Sequence, residues 1–375
     1  MISYIVIVYV VRSLINTLLK QSKSATIYLM PKKESNSKIK TYISIATIIA
    51  LVVLVYALRH QIVDTFKNLN NVNPWALALM PLFQLVNYHA YTKMYMQIYE
   101  VLGDNLAYKQ MYKVQLELNF VNNVFPSGGV SGISYFSLRM RRLGAGAGKS
   151  TLVQVIKFSL VFISFQILLA VGLLALAIGG QASGFLLLIA SSLSTFLFVG
   201  TLLLAYVLGS RGRINSFFAF FTKLFNRVIF YFKRDSPETI NVEKVHETFY
   251  ELHDNYMVLR KDLRQLKKPL AYALLANATE ILTIYAVYMA FGQFINPGAI
   301  IIAYAVSNFA GLISVLPGGI GIYEALMTAT LAAAGIPAAL SLPVTVMYRI
   351  LNSLIQLPPG AYFYHKALHA NQTEN

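Results

Sequence analysis

The chain has 375 residues, 57% hydrophobic and 12% charged, with a mean hydropathy of +0.58. Soluble domains carry about 25% charged residues, so the composition excludes a soluble enzyme with a polar shell and a disordered chain; the lack of cysteine excludes a disulfide-stapled domain, thiol catalysis and thiolate metal sites. The net charge of +16, on an integral membrane protein, belongs to basic loops facing anionic headgroups and not to nucleic acid.

Residues 1–40 form an apolar N-terminal segment and a basic linker. Met1–Leu19 is broken at Arg12, and an extra span, a signal-like segment and an interfacial helix all fit it; Met30 is a second candidate start. Lys20–Lys40 sets six lysines against Glu34. Spans of roughly 20 apolar residues are then expected at Thr41–Leu58, Trp75–Gln97, Thr151–Ile178 (interrupted by Lys157), Gly184–Leu208, Leu270–Phe291 and Ala338–Tyr364. Pro and paired Gly interrupt two other apolar regions, PSGGVSG at Pro126–Gly132 and PGGIG at Pro317–Gly321. Broken backbone at membrane depth is tolerated only inside protein or beside water, so both are expected to be re-entrant hairpins, near 114–143 and 298–336. In the loop 210–268, Asn215–Lys233 interleaves aromatics with bases, as an interfacial helix does. A helix start at Ser236-Pro237-Glu238 leads apolar positions from Val242 to Leu266.

The positive-inside rule puts the basic loops, both termini and the tail 365–375 in the cytoplasm, and the uncharged connectors Gly179–Ser183 and Gly292–Pro297 outside. The resulting expectation is an all-α polytopic membrane protein with about six full spans and two re-entrant helical hairpins. Residues 184–364 repeat 41–180 with inverted topology, an architecture of transporters.

Ionisable residues at membrane depth are costly and mark function by default. Glu324, past the second Gly pair, is expected to pair with Arg349 in the last span; a structural tie of hairpin to span and a headgroup site both fit that pair. Asn277 and Glu280 share a helix face at i and i+3. Glu117, Asn119, Asn122 and Asn123 lead into the first hairpin, and His89, Lys93 and Gln97 form a polar stripe. Gly128, Gly129, Gly132, Gly318, Gly319 and Gly321 bring backbone amides close to a ligand, and half-helix ends there favour a phosphate. Arg139, Arg141 and Arg142 lie at headgroup depth, as lipid contacts or topology anchors.

Gly144–Thr151 (GAGAGKST) mimics a phosphate-binding loop, but the position that needs the first glycine is Leu143, and no strand precedes it. The six His are scattered. No metal, nucleotide or other cofactor is implied.

PSGGVSG with its basic stretch, LPGGIGIYEA and YRILNSL together resemble the flippase-like family, also described as the transmembrane region of lysylphosphatidylglycerol synthase. The resemblance covers roughly Ile39 to Tyr364 and carries over Pro317, Gly318, Gly319, Gly321, Glu324 and Arg349. It implies a prokaryotic plasma (inner) membrane protein handling phospholipids or polyprenyl-type lipids. In the synthases a soluble aminoacyl-transferase domain follows the membrane region; only 365–375 follows here, so no lysyl-transferase activity is expected. Two functions fit. One is an ATPase-free flippase or lipid transporter whose partners are anionic phospholipid or polyprenyl-phosphate lipids. The other is an embedded or accessory subunit of a glycosyl- or aminoacyl-transferase, which would make a separately encoded transferase a partner.

Overall fold

The structure is a computed structural model that describes residues 63, 72–125, 130–181, 183–217, 242–309 and 319–369. The span expected at Thr41–Leu58, the N-terminal segment, most of the interfacial stretch 215–233, the turns at 126–129 and 310–318 and the end of the tail lie outside them.

All regular structure among the described residues is helical. After a one-turn helix at Pro74–Leu77, ten helices follow: α1 (Leu79–Val101), α2 (Tyr108–Val124), α3 (Val130–Arg142), α4 (Ala147–Ile178), α5 (Gly184–Leu208), α6 (Val242–Arg260), α7 (Lys267–Ala290), α8 (Pro297–Asn308), α9 (Ile322–Ala333) and α10 (Ala338–His369). Their starts are written in the sequence. Asn73 and Asn296 each stand before a proline, and their side chains accept the N–H of Trp75 (3.0 Å) and Gly298 (2.9 Å). Proline at the first helical position loses no intrahelical bond. Gly321 opens α9 at φ +85°, a left-handed conformation that side chains disfavour.

Four helical stretches are long and apolar enough to cross a membrane: Ala147–Ile178, Gly184–Leu208, Leu263–Ala290 and Ala338–Ala367. α5 is the most lipid-like, with Phe185, Leu188, Phe196 and Leu203 all more than half exposed. α1 has 23 residues, about 35 Å at 1.5 Å per residue. It carries Gln84, Asn87, His89 and Lys93, and its buried residues, from Met80 to Tyr99, cover a broad side of the helix while Leu82, Leu85 and Val86 are exposed on the other. α8 and α9 have 12 residues each and α3 has 13, roughly 18–20 Å, well short of the about 30 Å hydrocarbon core.

The most extensive contact joins α1 to α7. The two run antiparallel: Asn73 N–H reaches Ala290 O at 2.8 Å, Gln84 meets Glu280, and Asn87 Nδ2 donates to Ala276 O at 2.8 Å. The next two, α2 with α10 and α4 with α8, exchange places when α1–α4 is swapped for α7–α10. Each of those crossings turns on glycine. A Cβ on Gly298 would strike Gly172 O, and one on Gly360 would lie 2.7 Å from Leu116 O and 2.8 Å from Phe120 Cβ. Bilayer helices gain nothing hydrophobic by leaving lipid, so small residues that let backbones approach carry the association.

α6 closes the α4–α5 pair at one end. The Glu251 carboxylate accepts the N–H of Gly148 (2.9 Å) and of Lys149 (3.2 Å) at the N-terminus of α4, where the helix dipole favours an anion. A Cβ on Gly146 would collide with that carboxylate. On the other side, Tyr256 OH donates to Ala205 O (3.2 Å), which also accepts Gly209 N–H, and His253 Nδ1 meets Leu208 O (2.9 Å) at the end of α5. The phosphate-loop mimic is thus a helix end filled by the protein's own carboxylate. The apolar series to Leu266 is not one helix, as its spacing predicts: α6 stops at Arg260, and the Asp262 side chain caps a separate turn at Leu263–Leu266 through Arg264 N–H (3.1 Å).

Candidate functional site

The three acids expected at membrane depth are all buried: Glu117 on α2, Glu280 on α7 and Glu324 on α9. Their surroundings differ.

Glu324 is fully engaged. Its Oε1 takes Arg349 Nη1 at 2.6 Å and its Oε2 takes the N–H of Gly321 at 2.8 Å, satisfying a free donor at its own helix start. The Arg349 guanidinium also lies 4.8 Å from the Tyr323 ring. The pair ties α9 to α10. Glu117 is tied in the same way: Arg139 Nε donates at 2.9 Å and Tyr135 OH at 2.8 Å, joining α3 to α2. Arg139 therefore turns inward, while Arg141 and Arg142 are exposed. Gly132 makes room between the same two helices, because any side chain there would strike Asn122 Oδ1.

Glu280 has no arginine or lysine in an ion pair among the described residues. It accepts instead from three neutral donors on two helices: Gln84 Nε2 (2.9 Å) on α1, and Tyr348 OH (2.5 Å) and Asn352 Nδ2 (2.8 Å) on α10. All three donors are neutral, so they satisfy the carboxylate's oxygens without supplying a counter-charge. The amides continue outward. Gln356 Nε2 donates to Gln84 Oε1 (3.1 Å), and Asn123 Nδ2 on α2 donates to Gln356 Oε1 (3.4 Å). Each side-chain amide in the row points its NH2 toward Glu280, so the dipoles align on the negative charge and reinforce one another. The row alternates between the halves of the molecule: α2, α10, α1, α7.

Asn277 shares Glu280's helix but reaches Ser164 on α4, so the common face splits between two neighbours. His89 contacts Tyr108 OH at 2.9 Å, and Lys93 lies over the Tyr108 ring. Gly319 and Gly321 are described, both at positive φ; Gly128, Gly129, Pro317 and Gly318 lie outside the described residues. Sequence reasoning missed Gln84, Tyr348 and Asn352 as partners of Glu280, and Gln356 behind Gln84. The spacing of Tyr348, Asn352 and Gln356, four apart on an otherwise apolar helix, was the available signal. Lys157 interrupts an apolar span, and its ammonium lies 4.2 Å from the Phe158 ring and 5.8 Å from the Tyr91 ring, a cation–π environment.

No group of three or more metal-ligating side chains occurs among the described residues. An apolar helical bundle with carboxylates tied at its short helices and an amide row through its centre defines a membrane family more than a soluble one. The chain matches the family described as lysylphosphatidylglycerol synthase TM region over residues 43–360. It belongs to that family. Among curated proteins it is similar to a UPF0104 membrane protein of Methanocaldococcus jannaschii, 23% identical over 333 residues, which are 87% of this chain and 94% of that protein. A UPF0104 membrane protein of Pyrococcus horikoshii is 29% identical over 126 residues, 34% of this chain and 38% of that protein's length. A third, from Methanothermobacter thermautotrophicus, is 34% identical over 91 residues, 24% of this chain and 27% of that protein. This member of the lysylphosphatidylglycerol synthase TM region family is a multi-pass membrane protein, and Glu324, Arg349 and Glu280 all fall inside the matched segment.

Proposed function

We propose that this family member is a flippase or lipid transporter that binds and moves phospholipids or polyprenyl-linked lipids across a prokaryotic plasma membrane without an ATPase of its own. The observation that carries the reading is the amide row ending at Glu280: a hydrogen-bonded polar path, joining both halves, through the centre of an apolar bundle. Polar groups are expensive there and are kept where something polar must pass or bind. The short helix pairs α2–α3 and α8–α9 are re-entrant hairpins in this reading, α1 is a span, both termini are cytoplasmic, and α7–α10 repeats α1–α4 inverted. That topology is supported by the helix lengths, the antiparallel α1–α7 pair and the interchangeable α2–α10 and α4–α8 crossings. Headgroups of anionic phospholipid or polyprenyl-phosphate type approach from the hairpin glycines and the arginines at headgroup depth, and the Arg349–Glu324 and Arg139–Glu117 ties hold the hairpins that flank the path.

The test is transbilayer movement in liposomes. Fluorescent lipids should become accessible to a membrane-impermeant quencher faster with the reconstituted chain than without it. A folded protein that accelerates none of a broad lipid panel refutes the reading.

A further inference from the structure

The outer approach to the amide row has a chemistry of its own. On α2, Tyr108, Tyr112, Gln115, Asn119 and Asn123 succeed one another at spacings of four, three, four and four, which is one face of a helix. From the exposed end the rings form a ladder. Tyr108, 37% exposed, stacks on Tyr112 at 5.7 Å, and Tyr112 meets Tyr88 edge-on at 6.4 Å, where Tyr88 is 3% exposed. One turn along α1 from Tyr88 stands Gln84, and beyond it Glu280.

Three atoms beside this path are left without a partner among the described residues: Gln115 Oε1, Asn352 Oδ1 and the Tyr88 hydroxyl. Gln115 is 3% exposed; its Nε2 donates to Asn119 Oδ1 at 2.9 Å, but its Oε1 receives nothing. Asn352 Nδ2 serves Glu280, and its buried Oδ1 likewise receives nothing. A buried acceptor left unmet is costly and calls for an explanation. The two amide oxygens only accept, the Tyr88 hydroxyl can accept as well as donate, and the row they flank ends on a carboxylate.

That set discriminates among headgroups. A phosphate brings only acceptor oxygens and negative charge, and it is repelled by Glu280 and by both orphan carbonyls. An ammonium would suit the acceptors, but Lys93, its Nζ 5.4 Å from the Tyr108 ring, already places a positive charge at the mouth of the ladder. Hydroxyl groups donate to carboxylate and amide oxygens, carry no charge past Lys93, and lie on rings whose apolar faces can cover aromatic surfaces. We propose that the path from Tyr108 to Glu280 is a binding site for a neutral, hydroxyl-rich headgroup, a glycosyl or polyol group on a lipid, with Gln115 Oε1 and Asn352 Oδ1 accepting from its hydroxyls. This rests on the lipid-transporter reading and narrows its substrate; any phosphate of the same lipid stays outside the row.

The experiment uses the full chain in phosphatidylcholine liposomes with acyl-labelled fluorescent probes: a glucosyl diacylglycerol, phosphatidylcholine, phosphatidylglycerol and phosphatidylethanolamine. The glucosyl lipid should cross faster than each phospholipid by about tenfold, the equivalent of one properly met buried acceptor. Gln115→Met, Asn352→Met and, at the exposed end, Tyr108→Ala should each erode that preference. Equal acceleration of all four probes overturns the headgroup assignment and leaves lipid transport standing. Fastest movement of phosphatidylethanolamine overturns it in favour of a cationic group. No acceleration of any probe by folded protein defeats the transporter reading itself. Tyr108 lies at the surface, so its variant tests the ladder even where a core substitution fails to fold.

Discussion

Glu117 and Glu324 sit at the two short-helix pairs and each meets an arginine, at 2.9 and 2.6 Å. Glu280, on the long helix α7, meets two amides and a phenol and no cation among the described residues. The difference separates two uses of a buried carboxylate. Paired with arginine and a further donor, it fastens a helix too short to anchor itself, and its charge is spent inside the protein. Held by neutral donors alone, it is fastened to no cation among the described residues and stands at the end of the amide row. Burial alone does not distinguish them, since all three are 9% exposed or less.

The sharpest way to break the comparison is to unpair a tie. Glu324→Ala strands the Arg349 guanidinium beside Tyr323, and losing one partner of a buried pair costs about 3–5 kcal/mol. The melting temperature in detergent should fall steeply, and Glu324→Met with Arg349→Met should recover most of the loss. If the single variant melts like the wild type, Glu324 is not a fastener.

The helix crossings come next. Gly298→Val and Gly360→Val each push a side chain into a neighbouring backbone, and overpacking of this kind costs about 1–3 kcal/mol. The two crossings are exchanged by the swap of halves, so the losses in thermal stability should be similar. A tolerant Gly298 beside an intolerant Gly360 would argue against equivalent halves.

Glu251→Ala removes two capping bonds from α4, a loss of about 1 kcal/mol. Hydrogen exchange should speed up at Gly148, Lys149 and along 251–260, and not at α9. Uniform speeding would mean that the clamp holds the whole bundle.

The smallest effect on stability is expected at Glu280→Gln. An amide oxygen still accepts from Tyr348 and Asn352, the new NH2 loses the Gln84 bond, and removal of the buried charge offsets that loss, so the net change should stay under about 1 kcal/mol. Lipid movement should fall by about tenfold or more, because a bond to a charged group is worth about 1.5–3 kcal/mol. A variant that melts early and transports normally would put Glu280 with the fasteners and remove its distinction.

Much of the helical framework was legible beforehand. Span boundaries at Gly184–Leu208 coincide with α5, because an uncharged apolar run between Ser183 and Gly209 leaves the chain few alternatives. Re-entrant hairpins are expected at both Pro–Gly breaks; helices flank each break, α2 and α3 at one and α8 and α9 at the other, while the turns at 126–129 and 310–318 lie outside the described residues. The pairing of Glu324 with Arg349 was legible because two opposite charges at membrane depth have few other partners. The partners of Glu280 were not. Gln84 is 196 positions away, and nothing local marks a glutamine on one helix as the donor to a carboxylate on another. The phosphate-loop mimic shows the same limit: its Gly146 does make room for a close anion, but the anion comes from Glu251, 103 positions from the Gly148 N–H it accepts.

By itself the sequence determined that this chain lives in a membrane, where its helices begin, and which few charges it could not shed. Those follow from local physics: apolar length, proline and glycine geometry, and the cost of a charge in hydrocarbon. Tertiary structure decided which of the buried carboxylates are neutralised and which is not. In a bilayer, where lipid is as apolar as leucine, a polar side chain is defined by the neighbour that satisfies it, and that neighbour is set only when antiparallel helices from opposite halves come into register.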